Sequence, residues 1–108
     1  MKLWIDDIRT PPEGFRWIKS VNAAIRFIET HESLYQHGDV SEPITLISCD
    51  HDAGDFACDG GDYIRLLDYL EFTNRSYPIH LHSQNPVGVQ NMRAIIQHNG
   101  WTEVYSLR

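Results

Sequence analysis

Three stretches of helical periodicity, separated by short apolar runs, confine this chain to a small set of folds. Val21, Ala24, Ile25 and Ile28 recur at helical spacing behind Ser20, which stands where an N-cap belongs. Tyr63, Ile64, Leu67 and Leu70 repeat the pattern at i, i+1, i+4 and i+7, with fraying expected by Asn74. Val89, Met92 and Ile96 make the third set, with Asn85-Pro86 as N-cap and first helical residue and Gly100 placed to end it. Around these lie "KLWI" (2–5), "FRWIK" (15–19), "ITLIS" (44–48), "IHLHS" (79–83, opened by Pro78) and "EVYSL" (103–107), which favour strands. "RTPPEG" and "HGDVSEP" are loops by their Pro, Gly, Asp and Ser content. The order ββαβαβα followed by β predicts an α/β fold: a five-stranded, mainly parallel sheet and three helices spread over both faces.

At 108 residues the chain fits one domain, 1–108, with one core. A hydrophobic content of 42% and a charged content of 22% are those of an ordinary globular protein. No apolar run approaches the roughly 20 residues of a membrane span, and "MKLWIDDIR" lacks the apolar middle of a signal peptide. A cytoplasmic protein without a membrane partner is expected. Cys49 and Cys58 are the only cysteines, and without an export signal they are expected reduced. The net charge of −6 disfavours a surface that tracks long duplex nucleic acid. Residues 41–72 hold eight Asp or Glu against Arg65 alone, so a cation is the partner to look for there.

In parallel α/β sheets ligands gather beyond the carboxyl ends of the strands. Polar residues fall at such ends three times: Asp6-Asp7, Asp50-His51-Asp52, and His82-Ser83-Gln84-Asn85. Carboxylates brought together repel one another, and a hard dication with oxygen ligands keeps them ionised. Mg²⁺ fits, or another divalent cation such as Mn²⁺, because it needs only one or two direct carboxylates and leaves positions for a phosphate oxygen. The plainer reading is that Asp6 and Asp7 begin a solvated turn and Asp50 caps a loop. The convergence of three sets favours a site, with Asp6, Asp7 and Asp50 as metal ligands.

Other chemistries fit less well. "DHDAGD" fails as an EF-hand loop, since Gly54 and Asp55 are reversed at the fifth and sixth positions and Gly61 stands at the twelfth. Zinc has candidate ligands in Cys49, His51, Cys58, His80 and His82, but their spacing matches no ribbon or finger, and Cys49 and His80 read more simply as core residues. "CDGGD" (58–62) is a helix entry rather than a phosphate-binding loop. His82 and Ser83 could hydrogen-bond a phosphoryl oxygen. Asn85 caps the third helix, binds an anion with the N–H groups there, Gly88 included, or does both at one helix start.

Asp6-Asp7 after the first strand, an Asp after the third and a hydroxyl residue after the fourth resemble the response-regulator receiver domain, a flavodoxin-like sandwich. The resemblance implies that Asp50 is the phosphoryl acceptor and Ser83 the hydroxyl that contacts the phosphoryl group. Receivers place a Lys after the fifth strand, whereas this chain has only Lys2 and Lys19, and their first helix looks replaced here by "RTPPEG". The blocks "LWIDDIRTPPEGFRWIKS", "LISCDHDAGD" and "HSQNPVGVQNM" look more like the cyclic-phosphate processing receiver domain, an offshoot of that superfamily, with Cys49 where Leu is expected.

The function expected is that of a metal-dependent phosphoesterase acting on a cyclic phosphate of a small nucleotide or an RNA end. Asp50, His51, Asp52 and His82 are the catalytic candidates, with His51 or His82 as general acid or base. Ser83, Asn85 and Gly88 are the phosphate-binding ones. Asp50 is either a ligand or a nucleophile. The alternatives are a receiver-type phosphoacceptor module and a catalytically inert binding protein, and a homo-oligomer is compatible with each.

Overall fold

The computed structural model describes residues 1–107. Strands β1 (Lys2–Ile5), β2 (Phe15–Ile18), β3 (Leu46–Cys49) and β4 (Ile79–Leu81) form one sheet in the order β2-β1-β3-β4, with every pair parallel. Helices α1 (Val21–Gln36), α2 (Ile64–Phe72) and α3 (Pro86–Asn99) connect or follow them. The ends of the helices obey their sequence signals. Ser20 Oγ accepts the Ala23 N–H, Asn85 Oδ1 accepts the Gly88 N–H, and Gly100 ends α3 in the left-handed region at φ 67°. A short 3₁₀ turn, Gly54–Phe56, interrupts the acidic loop after β3.

Two expectations need correction. The fifth strand is only an isolated parallel bridge between Glu103 and Ile79. Tyr105 and Ser106 beyond it are exposed, and Glu103 is held sideways by Arg93 of α3 at 2.7 Å. The helices also do not cover both faces. Strand register puts Leu3, Ile5, Ile18, Ile47, Cys49 and Ile79 on one face, and these residues form a single buried cluster with Val21, Ala24 and Ile28 of α1, Leu66, Leu67 and Leu70 of α2, and Met92 and Ile96 of α3.

The physical reason lies in strand order. From β2 to β3, from β3 to β4, and from β4 to the Glu103 bridge, each helical crossover moves in the same direction across the sheet. Right-handed crossovers that move the same way lie on the same face. The one connection that moves the other way, β1 to β2, runs through residues 6–14, which hold no helix. The opposite face therefore carries no helix: it presents Lys2, Trp4, Phe15, Trp17, Leu46, Ser48 and His80, with the loop after β1 bonded to it where Trp4 Nε1 donates to the Arg9 carbonyl at 2.8 Å. No helix of the described chain is long and apolar enough to cross a membrane.

Candidate metal and phosphate site

The carboxyl ends of β1 and β3 are locked side by side, because the Asp50 N–H donates to the Ile5 carbonyl at 2.9 Å. This places the acidic residues that follow each strand against one another. Asp6, Asp7 and Asp50 each offer one carboxylate oxygen, and the three oxygens lie within 4.8 Å of one another. Asp6 and Asp50 are buried and Asp7 is partly exposed. Gly54, at φ +54°, lets the acidic loop approach Asp7 so closely that a Cβ there would collide with the Asp7 Oδ2.

The three carboxyl groups are electrostatically unlike. Burial works against ionisation of Asp6, but N–H bonds from Ile8 and Arg9 to its Oδ1 and a bond from His82 to its Oδ2 outweigh that and hold it below the usual carboxylate range. Asp7 is pushed up, first by desolvation and then by the neighbouring charges of Asp6 and Asp50. A carboxylate has about four lone-pair sites. Three on Asp6 are engaged, which leaves Oδ2 one direction for a further partner.

His82 follows β4 and is buried within a hydrogen-bonded chain. Its Nε2 lies 2.8 Å from Asp6 Oδ2, its Nδ1 lies 2.8 Å from Ser48 Oγ, and Ser48 Oγ lies 2.7 Å from His80 Nδ1. Burial lowers the pKa of both histidines. With Asp6 ionised and His82 neutral, one proton arrangement satisfies every atom. His80 Nδ1–H donates to Ser48, the Ser48 hydroxyl donates to His82 Nδ1, and His82 Nε2–H donates to Asp6. Trp4 stacks on the His82 ring at 3.8 Å between centroids, and Arg9 Nη1 donates to the His82 carbonyl at 2.7 Å. Both ring nitrogens are thus committed, Nε2 to Asp6 and Nδ1 to Ser48.

His51 is placed differently. Its Nδ1 lies 2.9 Å from Asp52 Oδ1, and Asn85 Nδ2 approaches both Asp52 Oδ2, at 3.3 Å, and His51 Nδ1, at 3.4 Å. The short contact to a carboxylate places the proton on Nδ1. That bond is also the main reason the Asp52 carboxyl lies below its usual range. The ring rests on the first turn of α3, where a Cβ at Gly88 would come within 2.5 Å of His51 Cγ. His51 Nε2 has no hydrogen-bond partner among the described residues, and the side chain is 15% exposed. His51 therefore presents one free nitrogen, held by Asp52, whereas His82 presents none.

The phosphate-binding candidates divide likewise. Ser83 Oγ accepts the Asn85 N–H at 3.1 Å, which leaves its own proton to donate. Asn85 is the N-cap of α3, and because its Oδ1 takes the Gly88 N–H at 3.0 Å, that N–H does not point to a ligand. Gly88 serves the site by making room for the His51 ring. The five zinc candidates do not converge: among the described residues none of the groups able to hold an ion contains a cysteine. Cys49 faces the helices with its thiol pKa pushed far up by burial, His80 faces the other way, and Cys58 is exposed.

Sequence reasoning passed over Ser48, Arg9 and Gly54. For Ser48 a signal existed, because it is the single polar residue inside an apolar strand and its parity matches His80. Arg9 and Gly54 act through contacts that no spacing reveals.

Comparison with curated proteins and with solved structures returned no match. The model of the family described as "Cyclic-phosphate processing Receiver domain" matches residues 1–98, which include every site residue named above. With nearly the whole chain matched, the protein belongs to the cyclic-phosphate processing receiver domain family.

Proposed function

We propose that this chain is a divalent-metal-dependent phosphoesterase that opens a cyclic phosphate on a nucleotide or an RNA end. The observation that carries the reading is the set of three carboxylate oxygens, from Asp6, Asp7 and Asp50, within 4.8 Å of one another. An all-oxygen set of this charge suits Mg²⁺ or Mn²⁺ and not a soft cation. The upward pressure of its neighbours on Asp7 is the tension that such a cation relieves. When bound, the cation supplies positive charge to the phosphoryl oxygens.

The chain's own residues supply the rest. Opening a cyclic ester requires a proton to leave the attacking oxygen and a proton to reach the departing one, and His51 Nε2 is the free base suited to that exchange. Asp52 fixes its tautomer and Gly88 its position. His82 orients Asp6 and touches no substrate, while the Ser83 hydroxyl donates to a phosphoryl oxygen. The family description, cyclic-phosphate processing, supports the substrate class.

The test is incubation with 2′,3′- and 3′,5′-cyclic nucleotides and with an oligoribonucleotide ending in a cyclic phosphate, followed by ³¹P NMR. Conversion is expected with Mg²⁺ or Mn²⁺ and none in EDTA, and His51→Gln is expected to slow it by roughly 10²- to 10⁴-fold. Absence of conversion of every substrate with every cation, by folded protein, overturns the reading.

A further inference from the structure

We propose that the helix-free face of the sheet is a stacking platform for single-stranded RNA, and that it delivers the strand's end over the carboxyl edge to the Asp6–Asp7–Asp50 cluster. The choice of RNA rests on the proposed function, because a cyclic phosphate closing on the end of a strand needs the 2′-hydroxyl. The platform itself rests on separate observations.

The first is chemical character. On β2, Phe15 and Trp17 stand half-buried on this face, unsheltered by any helix. Lys2 Nζ lies 4.7 Å from the Phe15 ring centroid, and Lys19 Nζ lies 4.5 Å from that of Trp17. The four strands project no carboxylate on this face, although the chain as a whole carries −6. Aromatic rings that each carry an ammonium group beside them suit bases and their phosphates. A duplex hides its base faces, and two lysines are too few to track one.

The second is continuity with the site. Trp17 Nε1 donates to the Asp6 backbone carbonyl at 2.8 Å, so the aromatic row ends on a residue of the carboxylate cluster. Lys19 Nζ also lies 5.8 Å from the ring of Phe56, in the same acidic loop as Gly54, which abuts Asp7. The row Phe15, Trp17, Phe56 thus leads from the open face to the rim where the carboxylates lie.

The test titrates the protein, in EDTA and low salt, with an eight-nucleotide single-stranded RNA ending in plain hydroxyls. Tryptophan fluorescence and the anisotropy of a labelled strand are read. Saturable quenching is expected, with weaker binding of the same sequence as a duplex and a log–log salt slope of roughly −1 to −2 for two lysine contacts. Phe15→Ala and Lys19→Gln should each weaken binding, the former by about tenfold, the size of one lost base–aromatic stack. Lys19 is exposed, so Lys19→Gln carries the test if Phe15→Ala fails to fold. The proposal is overturned by absence of saturable binding, by equal affinity of both variants and wild type, or by Phe15-dependent self-association without RNA binding, which would make a second copy the occupant. Since the strand carries no cyclic phosphate and no metal is present, failure here is distinct from failure of the phosphoesterase reading.

Discussion

At the scale of single residues, two imidazoles that looked equivalent have opposite situations. Nothing in "DHD" or "HSQN" says which ring nitrogen will be free. That depends on partners 76 residues apart in one case and on the adjacent residue in the other. The three aspartates were legible because an acid behind a buried parallel strand has few places to go. The burial of His82 was not, because it follows from Ser48 of β3 and Trp4 of β1 closing on it. Gly88 offers the sharpest residue-level test. In the first turn of a helix, replacing Gly by Ala normally favours the helix by about 1 kcal/mol. Here the added Cβ meets three atoms of the His51 ring, the nearest at 2.5 Å, and the ring is pinned by Asp52. The clash should outweigh the propensity gain, so Gly88→Ala is expected to lower stability by roughly 1–2 kcal/mol in urea titration. It should also shift the His51 imidazole resonances. A more stable variant with those resonances unmoved would show that the ring does not rest on the helix.

At the scale of elements, the strand ends are joined by the chain from His80 through Ser48 and His82 to Asp6, which links β4, β3 and β1. The links depend on protonation state. His80 and His82 have pKa values below their ordinary 6.5, both chiefly through burial. The unfolded chain therefore binds more protons than the folded one just below pH 6.5, so their contribution is full above that value and is lost as pH falls through the folded-state values. Asp6, held below 3.8, adds a second loss at still lower pH by the same sign. The urea midpoint should accordingly fall between pH 7.5 and 5, before ordinary carboxylates titrate, and fall less steeply in His80→Gln. A flat midpoint over that range would mean the histidines are not buried neutral. Element types were readable from periodicity, and so were the caps at Ser20, Asn85 and Gly100. The layering was not, because it follows from strand order. Nor was the end of the sheet, which stops at the Glu103 bridge with Tyr105 and Ser106 exposed beyond it.

At the scale of the whole molecule, one core cluster supports one helical layer, and three carboxyl groups meet at the carboxyl edge of the sheet. Without a cation that edge works against the fold. Asp7 is desolvated and faces two other carboxyl groups, so its charge costs stability once pH rises past its elevated folded-state value. In EDTA near neutral pH, Asp7→Asn should therefore melt a few degrees above wild type, in the range of single surface-charge corrections. Mg²⁺ should reverse the ranking. A ligand that binds only the folded state at about 100 times its Kd stabilises by roughly 2.7 kcal/mol, on the order of 10 °C for a chain of this size. Asp7→Asn, lacking one of the three oxygens, should lose most of that shift. Sodium chloride at matched ionic strength supplies the control, because screening weakens repulsion everywhere on the surface but gathers no ion between Asp6, Asp7 and Asp50. If Mg²⁺ and sodium chloride raise the melting temperature equally, or if Asp7→Asn keeps the full Mg²⁺ shift, the carboxylates merely share a crowded edge and hold no cation.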